Sequence, residues 1–124
     1  MKSYTDIEQS KFLSKILPIE SADMWHHGFF NPSRMCKIHY NPPAPYHSAT
    51  HQWDCPCWSL AALLIILAKI ANKIDDDGSA NLSSFMGQWR INMFDCPVEA
   101  SDNYDNPVDA CVAMIEKLYE LKML

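Results

Sequence analysis

From Cys57 to Ala71 the chain carries only two polar residues, Ser59 and Lys69. A surface helix would show a broad polar stripe over such a length. This segment has none, so it predicts a helix buried on nearly all sides. One well-filled core could bury it, or a second subunit could complete the burial. It is no membrane span, because its longest apolar run, Leu60–Ala68, falls far short of the ~20 residues a bilayer requires. The residues before it read as its start. Asp54 or Cys55 supplies the cap, and Pro56 takes the first turn, where a missing N–H costs nothing.

The other elements are placed around this one. Thr5-Asp6-Ile7-Glu8 fits a capping box, and Phe12, Leu13, Ile16 and Leu17 follow at helical spacing until Pro18 stops the helix. Residues 22–30 and 35–40 read as a strand pair joined by turn chemistry at Asn31-Pro32-Ser33-Arg34. A tight closure there sets Trp25 near Tyr40 and His26 near His39, and a one-residue slip would undo that pairing. Residues 41–54 contain Pro42, Pro43 and Pro45, and no regular ladder tolerates that density. Asp75-Asp76-Asp77-Gly78 is a turn within a looser stretch. A weak strand at 82–86 and a strand at 88–95 flank Gly87, with Trp89, Ile91 and Met93 on one face and Arg90, Asn92 and Phe94 on the other. In the last helix Asn106 caps, Pro107 opens and Asp109 complements the dipole. Its apolar stripe is Val108, Cys111, Val112, Ile115, Leu118 and Tyr119. The expected architecture is α+β: a small antiparallel sheet of about four strands packed with three helices, one of them a buried central helix, in a single domain spanning residues 1–124.

Ten basic against fifteen acidic residues give a net charge of −5. That argues against a nucleic-acid polymer as partner, which favours a basic stripe. The N-terminal MKSYTDIEQSKF has no apolar core of a secretory leader, and five cysteines at irregular spacing do not form a disulfide framework. Both point to the cytoplasm, with no membrane partner.

No motif amounts to a catalytic signature. Cys55 and Cys57 stand at C-x-C spacing, neither the C-x₂₋₄-C of a structural zinc site nor the C-x-x-C of a redox pair, and packing is their expected role. His26, His39, His47 and His51 precede them, yet no helix carries an H-x-x-x-H pair, and nothing fixes these side chains on one ion. A small zinc-dependent hydrolase built on them is the least favoured reading, and neither metal nor cofactor is expected. Three glycines leave no phosphate-cradling loop. What remains is aromatic. Trp25, Tyr46, Trp53 and Trp89 can stack on a base, at ~1–3 kcal/mol each. Arg90 can pair bidentately with phosphate or carboxylate. Together with His26 and His39, these are the candidate ligand-binding residues.

Three segments carry a resemblance: ILPIESADM at residues 16–24, PCWSLAAL at 56–63 and NPVDACVAMI at 106–115. Together they resemble a family of small proteins from gut bacterial genomes, prophages and phages. The resemblance implies an accessory protein that binds and disables something in its host. It brings no catalytic residues with it. The expected function is non-enzymatic binding, with a nucleotide-derived immune signal as the sequestered ligand. The alternative is a protein–protein inhibitor or immunity-type module, and a homodimer or higher homo-oligomer is compatible with either.

Overall fold

The computed structural model describes residues 2–27, 37–39 and 55–124. Its order is α1 (Ile7–Ile16), a 3₁₀ turn (Ile19–Ser21), β1 (Met24–His27), β2 (Lys37–His39), β3 (Cys55–Cys57), α2 (Leu60–Ile74), β4 (Ser79–Phe85), β5 (Gln88–Phe94) and α3 (Pro107–Glu120). The class is α+β. The strands form two antiparallel sheets rather than one, with orders β2-β1-β3 and β4-β5. The backbone falls into two compact units, one of residues 4–59 and one of residues 1–3 with 60–124.

In the first unit, α1 is capped one residue later than its sequence indicates. Asp6 Oδ1 accepts from the Gln9 amide at 2.8 Å, and Gln9 Oε1 accepts from the Asp6 amide at 3.1 Å. Asp6 and Gln9 thus form the reciprocal box, which releases Thr5 for another task. The helix ends at Leu17, ahead of Pro18, and buries Leu13 and Ser10.

Strand register departs from the expected pairing by one residue. Trp25 faces His39 and His26 faces Ile38. On the other side of β1, Cys55-Pro56-Cys57 is a strand and not a helix start. It pairs Met24 with Cys57, Trp25 with Pro56 and His26 with Cys55. Held from both sides, β1 is the centre of its sheet, and Met24, Trp25 and His26 are all buried. Proline is admitted because β3 is at the edge, where an N–H is dispensable. The same missing N–H that suits a helix's first turn suits this position too.

In the second unit, α2 begins at Leu60 and buries one side, through Ala62, Leu63, Ile66, Leu67, Ile70 and Ala71. Ile65 stands 56% exposed on the other side, so the helix is amphipathic where its composition predicts near-complete burial. Gly78 follows it in close quarters: a Cβ there would lie 2.2 Å from the Ala71 carbonyl oxygen. Only glycine lets the chain turn so tightly under the end of α2.

The β4–β5 hairpin is longer than expected on its first strand, running from Ser79 to Phe94 in unbroken register. Met86 and Gly87 close it at φ 53° and 78°, and positive φ at both positions marks the type I′ turn that matches strand twist. The faces divide as their alternation predicts. Ile91 and Met93 are buried and Trp89 is half-buried, while Arg90 and Phe94 are exposed. Residues 101–104 extend the sheet beyond β5. Trp89 and Tyr104 exchange two backbone bonds at 2.7 and 2.8 Å, and the Ser101 amide donates to Ile91 at 2.9 Å.

Helices α2 and α3 pack against each other, α2 on β4 and α3 on β5. Asn106 Oδ1 accepts from the Asp109 amide at 2.9 Å, with Pro107 in the first turn. The helix is closed by a Schellman arrangement: the Met123 amide donates to Leu118, the Lys122 amide to Tyr119, and Lys122 takes φ 59°. Val108, Cys111, Met114, Ile115 and Leu118 are wholly buried. Tyr119, expected in that stripe, is 50% exposed, because it lies at the stripe's margin in the last turn.

Candidate functional site

Two groupings of chemistry-bearing side chains stand out, one in each unit. The first is a buried polar cluster centred on Thr5, which is 0% exposed. Its amide donates to the Trp58 carbonyl at 3.0 Å, and its Oγ1 accepts from the Trp58 amide at 3.1 Å. The hydroxyl also lies 2.8 Å from Ser10 Oγ and donates to Cys57 Sγ at 3.6 Å. A hydroxyl has one proton and two lone pairs, so with Ser10 as donor it is fully used. The Thr5 carbonyl in turn accepts from His26 Nε2 at 2.8 Å and from the Cys57 thiol at 3.4 Å. A carbonyl acceptor requires the proton on Nε2, which fixes the tautomer of His26. Tyr4 meets the same imidazole edge-on, with ring centroids 6.1 Å apart.

The hydrogen-bonding groups of this cluster are satisfied largely by one another. Burial pushes the Cys57 thiol up, outweighing the hydrogen bonds from Thr5 and Ser10 that pull it down. A nucleophilic cysteine needs the opposite shift. Cys111 is pushed up to about 12 by burial alone. His26 is lowered, first by burial, against the bond to Thr5 and the charge of Asp6. The unfolded chain therefore takes up a proton below the ordinary histidine pKa of 6.5 while the folded chain resists it. The stability this group contributes is complete above that value and is lost as pH falls through the window beneath it. Urea midpoints between neutral pH and about pH 5 should therefore decline. His26→Gln, which keeps a donor but cannot titrate, should reduce the decline. An unchanged slope in the variant would remove His26 as its source.

The second grouping lies on the outer face of the β4–β5 hairpin. Ser83 pairs with Arg90 and Phe85 with Gln88 in the register. With Ser84, Met86 and Asn103 they line a depression of about 580 Å³. All seven residues are exposed. Phe85 is 79% and Met86 86% exposed, at the turn where no neighbouring strand can cover them. Asn92 Nδ2 donates to Ser83 Oγ at 3.4 Å, so the face offers hydroxyls, amides and one guanidinium between two exposed rings, Phe85 and Phe94.

The residues nominated from sequence are divided between the two units. Trp25 and His26 lie in the three-stranded sheet at 2% and 4% exposure, and His26 bonds the Thr5 carbonyl. His39 is opposite Trp25 in the ladder. Trp89 is half-buried on the inner face of the hairpin, and its backbone bonds Tyr104. Arg90 alone stands exposed within a polar depression. Tyr46 and Trp53 lie outside the described residues. Sequence reasoning missed Phe85, Met86, Gln88 and Asn103. The signal was there in Phe85-Met86-Gly87: two large apolar residues at a hairpin tip have nothing to pack against.

Among the described residues no group of three or more His, Cys, Asp or Glu side chains is placed to hold a metal ion, and no helix is long and apolar enough to cross a membrane. No protein-family model, curated protein or solved structure matches this chain.

Proposed function

We propose that this chain is a non-enzymatic binding protein, carried by a phage or prophage and acting in the host cytoplasm, whose recognition surface is the tip and outer face of the β4–β5 hairpin. One contrast carries this reading. Cys57, Cys111 and His26 are buried and held neutral, whereas Phe85, Met86, Gln88 and Arg90 are gathered in the open. The geometry favours a host protein as partner. A small ligand is ordinarily enclosed over most of its surface, and a depression lined wholly by exposed residues gives no such enclosure. Exposed Phe, Met and Arg are the types enriched where proteins meet, and the net charge of −5 would hasten encounter with a basic partner.

A nucleotide-derived signal is the second reading. It is supported by Arg90 and Phe85 lining one depression, a pair of residue types able to meet a phosphate and stack on a base.

The test is a paired capture from host lysate, with the wild-type chain and Phe85→Ser/Met86→Ser as baits. Both residues are too exposed for the change to disturb the fold, so circular dichroism should match. A host protein recovered by the first bait and lost from the second is the expected result. Identical recoveries would refute the hairpin as the recognition surface. Thermal shift against a nucleotide panel separates the readings, since ligand at 100 times its Kd should stabilise by ~2.7 kcal/mol, and Arg90→Ala should abolish the shift.

A further inference from the structure

The outer edge of β4 receives no backbone hydrogen bond from the described residues. A two-residue turn makes Phe85 and Gln88 the hydrogen-bonded pair that closes the hairpin. Alternation then directs the backbone groups of Ser79, Asn81, Ser83 and Phe85 toward β5, and those of Ala80, Leu82 and Ser84 outward. β5 follows the same rule. Its outward groups belong to Trp89, Ile91 and Met93, and residues 101–104 bond those of Trp89 and Ile91. Along β4, among the described residues, no backbone bond reaches Ala80, Leu82 or Ser84.

Soluble proteins guard such edges with a charge, a proline or a bulge. Ser79-Ala80-Asn81-Leu82-Ser83-Ser84-Phe85 has no charge and no proline, and its pairing with β5 is free of bulges. We propose that β4 pairs antiparallel with β4 of a second copy of this chain, across a two-fold axis at Leu82. The outward groups fix this register: Leu82 faces Leu82 of the second copy and Ala80 faces Ser84, each pair exchanging backbone bonds. Between them Asn81 faces Ser83, and Ser79 faces Phe85.

Charge selects this occupant. A two-fold sets equivalent surfaces against each other, so a stretch free of charge spares a chain of net charge −5 like-charge repulsion at the seam, and β4 is one. The exposed rings point the same way. On the outer face, the row running across the joined sheets reads Gln88, Phe85, then Ser79 and Phe94 of the second copy. Each Phe85, 79% exposed in the single chain, and each Phe94, 54% exposed, would flank one small serine and share its cover. The pairing uses the strand edge and needs no third molecule, so it holds or fails independently of what the hairpin tip recognises.

Sedimentation equilibrium of the purified chain alone tests it. Wild type should move with increasing concentration toward twice the 14.2 kDa of one chain. Asn81→Glu/Ser83→Glu sets like charges opposite each other at both symmetric positions and should raise the dimer Kd by about tenfold. Both side chains are exposed, so circular dichroism should remain that of the wild type. Mixing this variant with Asn81→Lys/Ser83→Lys should restore the two-chain mass. A wild type that stays at the single-chain mass overturns the proposal. So does a dimer indifferent to the glutamates, or a mixture that the lysines fail to rescue.

Discussion

Trp58→Ala is expected to lower the unfolding free energy by about 3–5 kcal/mol, the range for deleting a buried aromatic side chain. Trp58 is the largest fully buried side chain among the described residues, and its removal leaves a cavity. Its amide and carbonyl are both bonded to Thr5, and its indole Nε1 donates to Ser21 Oγ at 2.9 Å. Trp58→Phe keeps most of the volume and loses the indole bond, so it should cost more than that bond's ~1 kcal/mol and well under the alanine loss. Urea titration followed by far-ultraviolet circular dichroism measures both. A loss below about 1.5 kcal/mol for the alanine variant would mean that the pocket collapses around the missing ring.

The second large effect is expected at Thr5. Valine has nearly the same shape and no hydroxyl. Thr5→Val would leave the buried Trp58 amide and the Ser10 hydroxyl without their shared partner, at ~1–3 kcal/mol for each orphaned group. A total of about 2–6 kcal/mol is expected in the same titration. Thr5→Ser retains the hydroxyl and loses one methyl, so it should cost about 1 kcal/mol. Equal losses for valine and serine would show that the methyl matters and the hydrogen bonds do not.

Much of the fold was legible because its signals are local. The Asn106 cap, Pro107 and the apolar stripe of α3 lie within a few turns of one another, and so does the alternation of β5. Cys55-Pro56-Cys57 was not legible in this way. Proline at a helix's first turn and proline on an edge strand have the same local chemistry, and the choice is made by β1 and by Thr5, dozens of positions away in the chain. At the candidate site the obstacle was different. Tryptophan and histidine serve equally as core and as recognition groups, and only burial separates them. Trp25 and His26 are residue types suited to recognition that the sheet buries, while Phe85 and Met86 read in the sequence as ordinary strand residues.

Met86 adopts φ 53° with 86% of its surface in water. A side chain with a Cβ is disfavoured in that conformation, and asparagine or glycine tolerates it far better. The long thioether adds exposed hydrocarbon and packs against nothing in return. Folding alone would be better served by almost any small polar residue at this position. The free energy forgone at the bend can be regained only when the methionine's surface leaves water against another molecule, and methionine adapts its shape to a contact more readily than most apolar side chains.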